Sequence, residues 1–148
     1  MPEAKGSTAE DAEERKSGKK VVKMEINAIT GMIIDAAMKV HTVLGPGLLE
    51  SAYEKCLLYE LHTRGLQAEA QVELHIQYGA VRIDAGYSID LLVENCVVVE
   101  LKSVIDTTPL DKAQLLSYLK LSGKTVGLLI NFNVIHLKDG ITRMVNHF

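Results

Sequence analysis

Asp90, Glu100 and Lys102 are the residues whose types and spacing most readily do chemistry. Glu100 and Lys102 interrupt Cys96-Val97-Val98-Val99 and Leu101, a run whose composition is that of a strand buried on both faces. Ionised side chains among valines must neutralise each other or hold something charged. Carboxylates supply hard oxygen ligands for Mg²⁺ or Mn²⁺, which polarises a phosphoryl oxygen and acidifies water. An ammonium two residues along the same face would orient that water or stabilise developing charge. The plainer alternative is a Glu100–Lys102 ion pair on an edge strand, worth about 0–1 kcal/mol. The flanking valines argue for a central strand instead.

Strand register decides whether the two acids meet. With a two-residue loop at Glu94-Asn95, Asp90 would oppose Val99 and the carboxylates would lie on opposite faces. With Glu94-Asn95-Cys96 as the loop, Val93 opposes Val97 and Asp90 lies across from Glu100. Asn95 tolerates the positive φ such a loop demands, although Cys96 does not. The three-residue loop, or an equivalent bulge, is therefore predicted, with Cβ atoms ~5 Å apart.

The elements that must position these residues are legible in the periodicity. Ile26, Ile29, Ile33, Ala36, Val40 and Val43 form one stripe of a helix that ends at Gly45-Pro46-Gly47. A second helix is predicted from about Leu48 to Arg64, with Leu49, Ala52, Tyr53, Cys56, Leu57 and Leu61 inward and Gly65 as its stop. Period-two patterning then predicts strands around Val72-Leu74-Ile76, over Val81–Val93 and over Cys96–Val104. Thr107-Thr108-Pro109 with Asp111 reads as a helix start, and Ser122-Gly123 as its end. Strands over Thr125–Phe132 and Val134–Lys138 follow, and Ile141–Asn146 could form a further one. The order ααβββαββ predicts a three-layer α/β (α+β) domain, a central mixed sheet flanked by helices.

Composition fits one globular domain. The chain has 148 residues, 47% apolar and 24% charged, with a net charge of −3. Its mean hydropathy is +0.11. Residues 1–23 hold six bases and five acids and are expected to be a disordered arm; the domain at 24–148 is left at −4. Such a body does not suit sequence-independent nucleic-acid binding, so any such function must come from a site. Cys56 and Cys96 lack zinc spacing, and the five histidines lack metal-binding spacing. Asp35 and Lys39 interrupt the longest apolar stretch, so no membrane partner is expected. The charged N-terminus lacks signal-peptide character, and a cytoplasmic location is expected.

These motifs resemble a known pattern. Asp90 followed by Glu100-Leu101-Lys102 is similar to the D…ExK core of the PD-(D/E)XK nuclease superfamily, with its restriction-endonuclease-like fold. Gly47-Leu-Leu-Glu50-Ser-Ala-Tyr53 resembles the signature of the GxxExxY family within it. By that resemblance Glu50 completes the acidic cluster, with Glu54 a second candidate nearby. Glu50 could equally be a first-turn carboxylate favoured by the helix dipole. Gly47 lets the chain turn into the helix, and Tyr53 lies three residues from Glu50 on one face. Gln114-Leu-Leu-Ser-Tyr118 resembles the QxxxY motif of the helicase-associated exonuclease branch. An amide and a phenol one turn apart could reach water, Lys102 or a phosphate. The alternative is a core Tyr118 with an exposed Gln114.

The resemblance implies a Mg- or Mn-dependent nuclease acting on nucleic acid, with DNA expected ahead of RNA. Asp90, Glu100, Glu50 and the Leu101 carbonyl would hold the metal, Lys102 would activate water, and Gln114 with Tyr118 would position it. A non-catalytic binding or assembly module on the same fold is the alternative. A homodimer or a partner subunit would supply the substrate grip that the body's ten bases do not.

Overall fold

A computed structural model describes residues 24–147, and the expected arm at 1–23 lies outside the described residues. The first apolar stripe folds as α1 (Ile26–Leu44), burying Ile29, Ile33, Ala36, Ala37 and Val40. Helix α2 (Glu50–Thr63) buries Tyr53, Leu57 and Leu61 against the same core. The helix starts two residues later than predicted. Leu49 holds the extended N-cap position and is 77% exposed rather than inward, because an N-cap residue lies outside the helical stripe. Val43 is exposed as well, on the outer groove between α1 and α2.

Five strands follow: β1 (Ala68–Tyr78), β2 (Val81–Val93), β3 (Val97–Lys102), β4 (Val126–Asn131) and β5 (Ile141–Val145). They form one sheet in the order β1-β2-β3-β4-β5. Only β3 and β4 run parallel, and α3 (Pro109–Ser122) is the crossover between them. Thr108 caps α3 through a reciprocal capping box with Asp111, Pro109 opens its first turn, and Gly123 ends it. The hydroxyl cap, the proline and the glycine stop were legible in the residue types; the return bond from Asp111 to the Thr108 N–H is an addition of the structure.

The sheet alternates strictly in its centre. Leu91, Val93, Val97, Val99, Leu101, Leu128 and Ile130 pack beneath α1 and α2. Leu92, Val98 and Leu129 pack against Leu115, Tyr118 and Leu119 of α3. The result is a three-layer α+β domain with β3 central and buried on both faces. The Val134–Lys138 strand does not form. Both flanks of β4 are already paired, by β3 and β5, and the Val134 carbonyl instead accepts the His41 ring at 2.8 Å. A 3₁₀ turn at Leu137–Gly140 then leads into β5.

The β1–β2 hairpin is irregular. Its register shifts between Leu74 and Ile76, where Gly86 adopts φ 81°, a conformation that suits glycine at a bulge. Gln71 also takes a positive φ, and the rung joining it to Asp90 is absent from the ladder.

Candidate active site

The β2–β3 loop comprises the three residues Glu94-Asn95-Cys96, and Val93 pairs with Val97. Glu94 and Asn95 carry the positive φ values, 52° and 53°, so Cys96 does not have to. Beyond the Leu91↔Val99 pair, the ladder gives way to side-chain bonds. The Asp90 N–H donates to Glu100 Oε2 at 3.0 Å, and the Leu101 N–H donates to Asp90 Oδ2 at 2.9 Å. Each carboxylate therefore grips the opposite strand. An extended residue points its N–H and C=O to the same side, so the Leu101 carbonyl also faces this gap.

Helix α2 approaches from the other wall. Gly47 turns the chain with φ 96°. Tyr53, fully buried, donates to the Gly45 carbonyl at 2.6 Å and accepts the Leu48 N–H at 3.1 Å. Its ring stacks on Phe132, with centroids 4.4 Å apart, a contact worth about 0.5–1.5 kcal/mol. Gly47 and Tyr53 thus build the turn that fixes the start of α2. Ser103 Oγ ties the Leu48 carbonyl to the end of β3 at 2.5 Å. Glu50 occupies the first turn of α2, exposed, and its side chain makes no hydrogen bond with the other described residues. The link to Asp90 runs instead through Glu54, one turn on. Gln71 donates to Glu54 Oε1 at 2.7 Å and to Asp90 Oδ1 at 3.3 Å, and it accepts Ser88 Oγ at 2.6 Å.

Helix α3 closes the site. Lys102 Nζ lies 3.8 Å from Asp111 Oδ1, both groups about one-fifth exposed. Asp111 therefore caps the helix and holds the lysine at once. Tyr118 is buried to 7% exposure, and its hydroxyl accepts Gln114 Nε2 at 3.3 Å, with Gln114 exposed. Burial, then the charges of Glu100 and Asp90, raise the Tyr118 phenol above its ordinary range, which sets its hydroxyl in the field of the acidic pair.

Sequence reasoning missed two partners. Gln71 sits in a strand pattern that gave no reason to single it out, and the hairpin bulge decides what it faces. Asp111 was legible only as an acid in the first turn of α3; its hold on Lys102 follows only once Lys102 and α3 are known to share a face of the sheet.

Glu100 is 5% exposed. Its burial, followed by the neighbouring Asp90 charge, pushes its carboxyl up to about 8, against the lowering effects of the Asp90 N–H and Lys102. This is a site short of positive charge. Among the described residues no group of three His, Cys, Asp or Glu side chains gathers into a ready-made metal cage. Mg²⁺, however, keeps several waters and is held by one or two carboxylates plus substrate phosphate. Asp90, Glu100 and the Leu101 carbonyl have the chemistry for that mode.

No helix among the described residues is long and apolar enough to cross a membrane. No curated protein and no solved structure matches this chain. The family model of the PD-(D/E)XK nuclease superfamily matches residues 27–144, a span that begins in α1, ends in β5 and contains every element just described. By fold and by this match across most of its length, the chain belongs to the PD-(D/E)XK nuclease superfamily.

Proposed function

We propose that this protein is a Mg²⁺- or Mn²⁺-dependent nuclease hydrolysing phosphodiester bonds of DNA or RNA, with the Gly47…Glu50…Tyr53 turn as the GxxExxY signature. The observation that carries the reading is the buried Glu100 carboxyl engaged with Asp90 across a sheet gap, in a superfamily whose members are generally nucleases. Asp90 and Glu100, with the Leu101 carbonyl, would hold the ion, and Glu50 or Glu54 would bind a water of its shell. When bound, the ion supplies Lewis-acid polarisation of the phosphoryl oxygen and a lowered pKa for water. Lys102 places its ammonium two residues beyond Glu100 on the same face, where it would offset charge developing on the phosphate as water, giving up a proton to solvent, attacks phosphorus in line. The opposite P–O ester bond breaks, its oxygen leaving as a hydroxyl after taking up a proton. Asp111 keeps that ammonium from wandering. Tyr118 and Gln114 present a hydroxyl and an amide to the same space and orient the water or the phosphate.

Calorimetric titration with Mn²⁺ and cleavage assays on the wild type, Glu100→Ala and Lys102→Ala test this. The expected result is Mn²⁺ binding that Glu100→Ala abolishes and cleavage that both variants lose. Absence of Mn²⁺ binding, or cleavage unchanged in the variants, refutes the nuclease. Mn²⁺ binding with no cleavage of any nucleic acid leaves a non-catalytic module.

A further inference from the structure

The outer half of the β1–β2 hairpin has two unlike faces. Ile76 pairs with Ile83 and Tyr78 with Val81, so these four apolar residues share one face. The other carries His75, Arg82 and Asp84, which satisfy one another: Asp84 Oδ1 lies 2.6 Å from His75 Nδ1 and 3.2 Å from Arg82 Nε. At the Gly86 bulge the apolar face turns toward α3. There Tyr87, 44% exposed, meets Tyr118 edge-on with ring centroids 6.3 Å apart. Between hairpin and helix lies a groove of about 520 Å³, walled by Ile76, Tyr87 and Leu121 and reaching Gln114, Tyr118 and Lys120.

Tyr118 lines this groove and lies in the field of Glu100 and Asp90, and Gln114 bonds its hydroxyl from within the groove, so a polymer held at Asp90 and Glu100 would continue into it. The groove offers an aromatic face, aliphatic walls and a single cation. Duplex binding needs rows of Lys and Arg on two phosphate backbones. After residue 23 the chain has ten bases against fourteen acids. Lys39, Arg64, Arg82 and Lys102 are already paired with acids, and Lys124 and Arg143 with asparagines. A single strand, in contrast, presents base faces that stack on aromatic rings irrespective of sequence. Resting on the nuclease reading above, we propose that the substrate is single-stranded or unpaired nucleic acid, and that a base adjacent to the scissile phosphate stacks on Tyr87 in this groove.

The full chain contains no tryptophan, so Tyr87→Trp installs a lone reporter in the groove. Its emission should be quenched by short oligothymidylate and oligouridylate and not by a blunt duplex, with the two oligomers separating DNA from RNA. Tyr87→Ala should weaken oligonucleotide binding about 5- to 100-fold, and Tyr87→Phe should restore it. Far-ultraviolet circular dichroism verifies that each variant is folded. Equal affinity for duplex, or Tyr87→Ala binding as the wild type does, overturns the groove assignment. If Mn²⁺-dependent cleavage persists in that case, the nuclease reading survives; if the protein binds no Mn²⁺, the nuclease reading itself fails. Emission that shifts with protein concentration, together with dimers in sedimentation, would make the face an interface between copies and also overturn the assignment.

Discussion

Replacing Glu100 by Gln should make the metal-free protein more stable at alkaline pH while abolishing its response to Mn²⁺. The folded protein holds the Glu100 carboxyl at about 8, against an ordinary 4.5, chiefly through burial and then through Asp90. Between those two values the native state binds more protons than the unfolded state, so stability falls as pH rises. It is full below pH 4.5, declines through neutrality and levels off above about pH 8. Each tenfold change in acidity constant is worth 1.36 kcal/mol, which sets a ceiling of about 5 kcal/mol. Water reaching the gap reduces this, so a loss of about 2–4 kcal/mol is expected between pH 5 and pH 9. Gln carries no charge and keeps an oxygen to accept the Asp90 N–H, so the variant lacks this slope. Urea unfolding in the presence of a chelator, at pH 5 and pH 9, measures the difference as a shift in midpoint at constant m-value. Parallel changes in the two proteins, or a variant less stable than the wild type at pH 9, would refute the electrostatic account of the site.

Other consequences can be measured independently. Binding of Mn²⁺ near pH 7 should release a proton from Glu100, visible as a dependence of the calorimetric heat on the buffer's ionisation enthalpy and absent in Glu100→Gln. Lys102→Met should lower cleavage about 10²- to 10⁴-fold while leaving Mn²⁺ affinity near that of the wild type; a proportional loss of affinity would argue that the lysine acts on the metal site's structure. Gln71→Ala removes the bridge from Glu54 to Asp90 and should weaken Mn²⁺ binding about 10-fold, measured in the same titrations. Tyr53→Phe strips the Leu48 N–H and the Gly45 carbonyl of their shared partner, at a cost of about 1–3 kcal/mol in denaturant unfolding.

Much of this architecture is written locally. The stripe of α1, the hydroxyl cap of α3 and the valine-rich β3 follow from periodicity and residue type; the β2–β3 loop follows from asking that Asp90 and Glu100 share a face, which a three-residue loop or an equivalent bulge satisfies. What escaped depends on distant geometry. Counting back from the Tyr78↔Val81 turn would set Glu69 opposite Asp90, acid against acid. The bulge between Leu74 and Ile76 displaces that register, and Gln71 faces Asp90 instead while Glu69 pairs with Leu92. Nothing in a hairpin turn encodes a shift that occurs several residues away. Val134–Lys138 has strand composition but no vacant partner, a fact that belongs to the sheet and not to the segment.

The two carboxylates that replace ladder rungs between β2 and β3 also bear on how the chain reaches its native state. Asp90 and Glu100 bond the opposite strand's backbone only in the observed pairing, so site assembly and strand alignment are one event. A hairpin slipped by one residue would turn Leu91 and Val93 away from the core and separate the acids in the same step. Misaligned chains would therefore lack both the buried face and the paired acids, and the Mn²⁺ affinity proposed for the site, once measured, would report on correct folding without any separate probe of structure.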